Sequence, residues 1–182
     1  FADTKNAPYG NKPKRELLKI AENLVQTVVD LFDPKIIVLG CNTLTANCIK
    51  HLRQKFYNKI FVGTEPAILP AMKKYKKNEV ILFATKNTCK CFKNIKKIYI
   101  KDLPKSIDEN INNLNVLNPI LIQYFSRKKL KNIKGIILGC THFIYLKENL
   151  KIILGDDIEF FDNSDGVARQ VKRLTEKIKF HY

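Results

Sequence analysis

Two short segments of this chain each end in a thiol set among small polar side chains. Residues 35–43 read Lys-Ile-Ile-Val-Leu-Gly-Cys-Asn-Thr, and residues 134–142 read Lys-Gly-Ile-Ile-Leu-Gly-Cys-Thr-His. Cys41 and Cys140 hold the same place in each. A thiol ionises close enough to neutrality to serve as proton donor or acceptor once its pKa is tuned. Two thiols on opposite faces of one carbon could remove a proton from one side and deliver one to the other. Racemisation needs that pair, whereas a single nucleophilic cysteine would need only one such segment. His142 could hold or pass a proton near Cys140. A lone Cys after an apolar run is more often a packed small hydrophobe. The repetition, with Gly before and polar side chains after, reverses that reading for these two. Cys48, Cys89 and Cys91 lack the context and are read as structural.

Each thiol must be presented where a buried strand gives way to a helix. There the unpaired N–H groups and the positive end of the helix dipole favour a thiolate or a bound carboxylate. The rest of the chain supplies such junctions. Leu17, Ile20, Ala21, Leu24, Val25, Val28, Val29 and Phe32 recur at helical spacing and predict a helix over 13–32, with Pro13 in its first turn. Strands are expected at 36–39, 59–62, 80–84, 97–100, 135–138 and 158–161. Helices are expected at 43–56, 67–76, from Thr88, 119–129, 144–154 and 167–179, the last capped by residues 162–166. Residues 94–118 are the least readable stretch, and the Asn-rich 110–118 reads as loop. Alternating strands and helices predict an α/β fold with parallel sheets. The two Gly-Cys segments predict two such pseudosymmetric domains, with the site in the cleft between them.

Composition narrows the function. The chain has 182 residues, 33 basic and 17 acidic, for a net charge of +16. Of the basic residues 28 are Lys and 5 are Arg. A groove that reads bases would lean on Arg, so no nucleic-acid partner is expected. The lysines scatter, apart from groups at Lys73, Lys74, Lys76, Lys77 and at Lys128, Lys129, Lys131, Lys134. Their field would attract a small anionic substrate. The longest apolar runs are far too short to span a bilayer, so no membrane is expected either. Five cysteines match no disulfide framework, and Cys89-Lys-Cys91 is only a weak metal hint, since His51, His142 and His181 show no pairing. Free thiols suit the reducing cytosol. No GxxxxGK or GxGxxG loop is present, and neither repeated Cys is followed by the Arg that a cysteine phosphatase needs.

These residues together resemble a known family. Gly-Cys-Asn-Thr at 40–43 and Gly-Cys-Thr-His-Phe at 139–143 resemble the two catalytic motifs of bacterial glutamate racemases. Residues 3–10 resemble the family's Asp-x-x-x-x-Pro-Tyr-Gly segment, and residues 63–67 its approach to the second domain. Ala84-Thr85-Lys86-Asn87-Thr88 resembles its Ala-Thr-x-x-Thr strand end, and residues 161–164 the Asp-Ser before the last helix. The motifs run in family order over nearly the whole chain. The resemblance implies a cofactor-independent, cytoplasmic enzyme that interconverts L- and D-glutamate for peptidoglycan. It needs no metal, takes a small-molecule partner, glutamate, and allows a homodimer. It assigns Cys41 and Cys140 as the acid/base thiols, with His142 assisting Cys140. Tyr9, Gly10, Asn42, Thr43, Thr88, Thr141 and His142 would contact the substrate. Residues 1–62 with 157–182 would form the first domain, and 63–156 the second.

The chain also departs from the family pattern. The family opens with a strand ending in Asp-Ser-Gly, whose Asp supports the first cysteine. This chain opens on Phe1, after that point, so the first domain is expected to be incomplete and Cys41 to lack that carboxylate. Either those residues precede Phe1 in the parent protein, or this is a degenerate copy. The family's acidic residue beyond the Ala-Thr-x-x-Thr strand has three candidates, Asp102, Asp108 and Glu109. Ile144 replaces the usual Pro after Thr-His-Phe. A racemase for another acidic amino acid, such as aspartate, and a non-catalytic remnant of the fold are the rival readings.

Overall fold

The computed structural model describes residues 1–126 and 130–179. Lys128 and Lys129, the end of the helix expected to reach Lys129, and His181 lie outside the described residues. The chain divides into two compact units, residues 1–65 with 163–182, and residues 66–162.

The first unit opens with α1 (Lys14–Phe32), whose stripe of Leu17, Ala21 and Val25 is buried. The helix ends before Pro34, as the Asp-Pro step predicts, with Asp33 in a left-handed conformation, φ 41°. Then follow β1 (Ile36–Leu39), α2 (Asn42–Lys55) and β2 (Ile60–Gly63). β1 and β2 pair in parallel, with Leu39 opposite Gly63. The buried faces of α1 and α2 meet in a core of Leu17, Ala21, Val25, Leu44, Cys48, Leu52 and Phe61. The last helix, α8 (Ser164–Lys179), returns to this unit.

The second unit holds α3 (Ile68–Lys74), β3 (Val80–Ala84), α4 (Lys86–Cys91), β4 (Lys96–Ile98), α5 (Leu103–Glu109), α6 (Asn118–Tyr124), β5 (Gly135–Gly139), α7 (Lys147–Leu154) and β6 (Glu159–Phe161). Its four strands are all parallel, in the order β4-β3-β5-β6. Every residue of β3 and β5 is buried, which explains their unbroken apolar sequence. Alternation sends Ile81, Phe83, Ile136 and Leu138 to one core, and Val80, Leu82, Ala84 and Ile137 to the other.

The α/β architecture with parallel sheets agrees with the strand–helix alternation. Several bounds differ. The expected domain limits at 62/63 and 156/157 fall instead at 65/66 and 162/163. Thr64 extends the first sheet by bonding to Leu39 O, while β6 pairs with β5 of the second unit. α5 was not foreseen. It is only seven residues long, follows Asp102 in a left-handed conformation, and buries just Leu103 and Ile107. The helix expected at 144–154 splits into a 3-10 segment over 141–146 followed by α7. The Asn-rich loop carries a 3-10 turn over 114–117. It is pinned by buried Asn149, which donates to Asn115 Oδ1 (3.1 Å) and Asn118 Oδ1 (2.7 Å). Among the described residues, no helix is long and apolar enough to cross a membrane.

Candidate active site

In each unit the thiol stands at the carboxyl end of a parallel strand, where α/β sheets place their ligands. Strand register sets its neighbours. Leu39 opposite Gly63 brings Gly40-Cys41 beside Thr64. Ala84 opposite Gly139 brings Cys140 beside the start of α4, which Thr85 caps and which carries Thr88.

Cys41 is extended, φ −148° and ψ 119°, and immediately precedes α2. Its carbonyl accepts the first helical bond, from Thr45 N at 2.9 Å. Asn42 and Thr43 are buried in the first turn, and Asn42 Nδ2 donates to Thr64 O at 3.0 Å. Thr45 Oγ1 accepts from Thr64 N at 3.0 Å and locks the two strand ends together. Cys41 itself is half-buried. Burial pushes its thiol up; the Leu44 and Thr43 amides and the Thr43 hydroxyl pull it partly back, without closing a capping bond.

Tyr9 and Gly10 belong to the same unit. Tyr9 packs against the core that Cys41 also touches, and Gly10 is buried. Burial raises the Tyr9 phenol, as do the bond it donates to Asp3 Oδ2 (2.7 Å), the charge of Asp3 and that of Cys41. Asp3 belongs to the motif over residues 3–10, but its bond to Tyr9 is not legible in the sequence. Nothing in residue spacing shows which side chain a turn will hold.

Cys140 is also extended, φ −147° and ψ 136°, and is buried. The segment after it is a 3-10 helix, so Phe143 N bonds to Cys140 O at 3.0 Å. Three residues per turn put Cys140, Phe143 and Leu146 on one face, and all three are buried. Phe143 stacks on Phe83 with ring centroids 4.1 Å apart. Burying a ring of this kind contributes about 1.5–3 kcal/mol. Thr141 and His142 are therefore turned away from the core by an anchored neighbour, and both are half-buried.

His142 Nδ1 lies 3.7 Å from Cys140 Sγ, and its Nε2 lies 3.2 Å from Asp108 Oδ1. Of the three acidic candidates, Asp108 on α5 is thus the one beside the imidazole. Asp102 precedes that helix, and Glu109 pairs instead with Lys105 at 3.6 Å. A carboxylate behind His142 favours the tautomer that carries its proton on Nε2 and leaves Nδ1 facing the sulfur. Thr88 is fully buried, with its amide on Thr85 Oγ1 (3.4 Å) and its hydroxyl 3.0 Å from that same oxygen. Within its unit it is a rigid part of the strand end. Cys89 is buried in the same turn, and burial pushes its thiol up to about 11. Among the described residues, no group of three or more His, Cys, Asp or Glu side chains could hold a metal ion.

The chain has clear relatives among known proteins, although no family model matches it. It is 31% identical over 191 residues to the glutamate racemase of Aliarcobacter butzleri (strain RM4018), covering 97% of this chain and 73% of the relative. It is 34% identical to that of Clostridium novyi (strain NT), covering 98% and 73%. Two solved structures are similar. Glutamate racemase isoform RacE1 from Bacillus anthracis superposes with a TM-score of 0.82 at 20% identity, over 97% of this chain and 70% of that one, and shows the fold. The Escherichia coli glutamate racemase, solved with L-glutamate and the activator UDP-MurNAc-ala, superposes with a TM-score of 0.81 at 27% identity, over 96% and 70%. The chain belongs to the glutamate racemase family.

Proposed function

We propose that this protein interconverts L- and D-glutamate by two-thiol proton transfer, without a cofactor, and so supplies D-glutamate for peptidoglycan. The observation that carries the mechanism is the doubled strand end, Gly40-Cys41 and Gly139-Cys140, each with polar groups beside its sulfur. One cysteine, as thiolate, takes the α-proton of glutamate and becomes a thiol. The electron pair left on the α-carbon is held by delocalisation into the carboxylate and by the adjacent ammonium. The other cysteine, as thiol, then gives its proton to the opposite face and becomes the thiolate. The reverse reaction exchanges the roles.

Tyr9, Gly10, Asn42, Thr43, Thr88, Thr141 and His142 are the groups proposed to hold the substrate's carboxylates and ammonium. Preorganised donors of this kind stabilise developing charge at little reorganisation cost. His142, backed by Asp108, would exchange the proton of Cys140 between turnovers. None of the five cysteines is in a disulfide, which suits a reducing cytosol.

The test is exchange of the α-proton in deuterated water, followed by proton NMR, for L-glutamate, D-glutamate and both aspartate enantiomers. Exchange with inversion for glutamate alone is expected. Faster exchange of aspartate would move the assignment to that substrate. No exchange with any of the four would end the racemase reading.

A further inference from the structure

Side-chain packing does little to fix the backbone just before Cys41. A Cβ on Gly40 would meet nothing within 4 Å, and Val38 on the same strand is exposed. Hydrogen bonds must hold this stretch instead, and Thr64 makes them on both sides of the thiol. Thr64 lies just beyond β2 and is the next-to-last residue before the chain leaves the first unit. Before the thiol, Leu39 O accepts from the Thr64 hydroxyl at 2.9 Å and from the Thr64 amide at 3.2 Å. Thr45 Oγ1 reaches the same carbonyl only at 3.4 Å. Hydrogen bonds weaken with length, so the Thr64 hydroxyl is the strongest of these three donors. After the thiol, Asn42 Nδ2 donates to Thr64 O at 3.0 Å. Thr45, whose amide bonds to Cys41 O at 2.9 Å, accepts from the Thr64 amide at 3.0 Å through its hydroxyl. The amide, carbonyl and hydroxyl of Thr64 all bond to residues 39–45, the stretch that carries Cys41.

We propose that Thr64 is a positioning residue that grips the chain on both sides of Cys41, with its hydroxyl on Leu39 O as the decisive contact. The use made of Cys41 rests on the racemase reading; the grip does not. Proton transfer is efficient only at close range and in line, and a misplacement of about 1 Å can cost about 10²-fold. Gly40 has no side chain to resist such a shift. Thr64→Val keeps the shape and the backbone bonds and removes the hydroxyl. Thr64→Ser keeps the hydroxyl but loses the branch that restricts its torsion, so it should restore the grip largely rather than fully.

The first test is hydrogen exchange followed by NMR in the full-length protein. The Thr45 amide, bonded to Cys41 O, reports on one end, and the Phe143 amide, bonded to Cys140 O at 3.0 Å, on the other. Thr64→Val should speed exchange at Thr45 about fivefold and leave Phe143 within about twofold of wild type. Thr64→Ser should stay within about twofold at both. Thr64→Ala, which also lacks the hydroxyl, takes the place of Thr64→Val if that variant does not melt cooperatively. Unchanged exchange at Thr45, an equal rise at both amides, or a Thr64→Ser variant as fast as Thr64→Val overturns the proposal. The second test is racemisation of glutamate by the same proteins. In Thr64→Val, kcat should fall about fivefold while KM stays within about twofold, since Asn42 keeps its acceptor, and Thr64→Ser should recover at least about half of wild-type kcat. An unchanged kcat in Thr64→Val, with wild type active, denies Thr64 any positioning role in the reaction. If exchange at Thr45 responds as expected and wild-type protein does not racemise glutamate, the racemase reading fails while the grip stands.

Discussion

The two thiol ends share a phrase in sequence and differ in how they are built. At the Cys140 end, packing dictates the backbone. A Cβ on Gly139 would lie 2.7 Å from Ala84 Cβ and 2.8 Å from Leu82 Cδ1, so no larger residue fits between β5 and β3. The next turn is anchored by the Phe143–Phe83 stack. At the Cys41 end, a Cβ on Gly40 would meet nothing within 4 Å. Val38 on the same strand is 44% exposed, and hydrogen bonds to Thr64 do the fixing. One Gly-Cys pair therefore marks a steric necessity, and the other an open place. The same letters arise from different constraints, which is why repetition in sequence predicts the place of a thiol better than its surroundings.

If the two ends serve one reaction, the largest effect should fall equally on both. Cys41→Ser and Cys140→Ser should each lower glutamate racemisation by roughly 10²–10⁴-fold, the range for loss of a proton-transfer group. A variant of either cysteine that keeps near-wild-type turnover would break the pairing.

The glycines should then separate the ends. Gly139→Ala overpacks the β3–β5 contact and should destabilise the protein by about 1–3 kcal/mol in urea unfolding. Gly40→Ala should change stability by about 0.5 kcal/mol or less. Equal losses would show that the Cys41 end is as tightly built as the other.

The carboxylates sharpen the contrast further. Asp108 is 64% exposed and His142 35%, so their pair is screened by water. Asp108→Asn should lower kcat by about fivefold at most, the equivalent of about 1 kcal/mol. A loss matching that of Cys140→Ser would assign Asp108 a direct part in proton transfer.

What was legible in the sequence follows the same division. Strands β1, β3 and β5 were readable to within a residue because each is a short apolar run, and in β3 and β5 both faces are buried. α1 was readable because its buried stripe has helical period over nineteen residues. α5 was not, because seven residues with two buried positions leave no period to detect. Asp108 was one of three candidates for the same reason: which acid meets His142 depends on how α5 packs on Phe143 and its neighbours. The tether from Asp3 to Tyr9 is a local turn, and several side chains in that turn could have accepted the phenol.

The smallest effect tests how the Cys41 thiol is tuned. Its proton affinity is set by burial, which raises its pKa, and by the Leu44 and Thr43 donors, which lower it. If Cys41 must be protonated in the free enzyme to act as the acid, the alkaline limb of kcat/KM for one enantiomer reports its pKa. Burial places that limb above the ordinary thiol value of 9.0. Thr43→Val removes a hydroxyl that favours the thiolate, so the proton is held more tightly and the limb should move up, by about half a pH unit or less. The sign is the decisive point: a downward shift would mean that the hydroxyl accepts from the thiol rather than donating to the thiolate. The corresponding change at the other end, Thr141→Val, leaves Cys140 with its imidazole neighbour at 3.7 Å. Its pH profile should therefore move less than that of Thr43→Val, since a hydroxyl and two amides serve Cys41 where an imidazole lies beside Cys140.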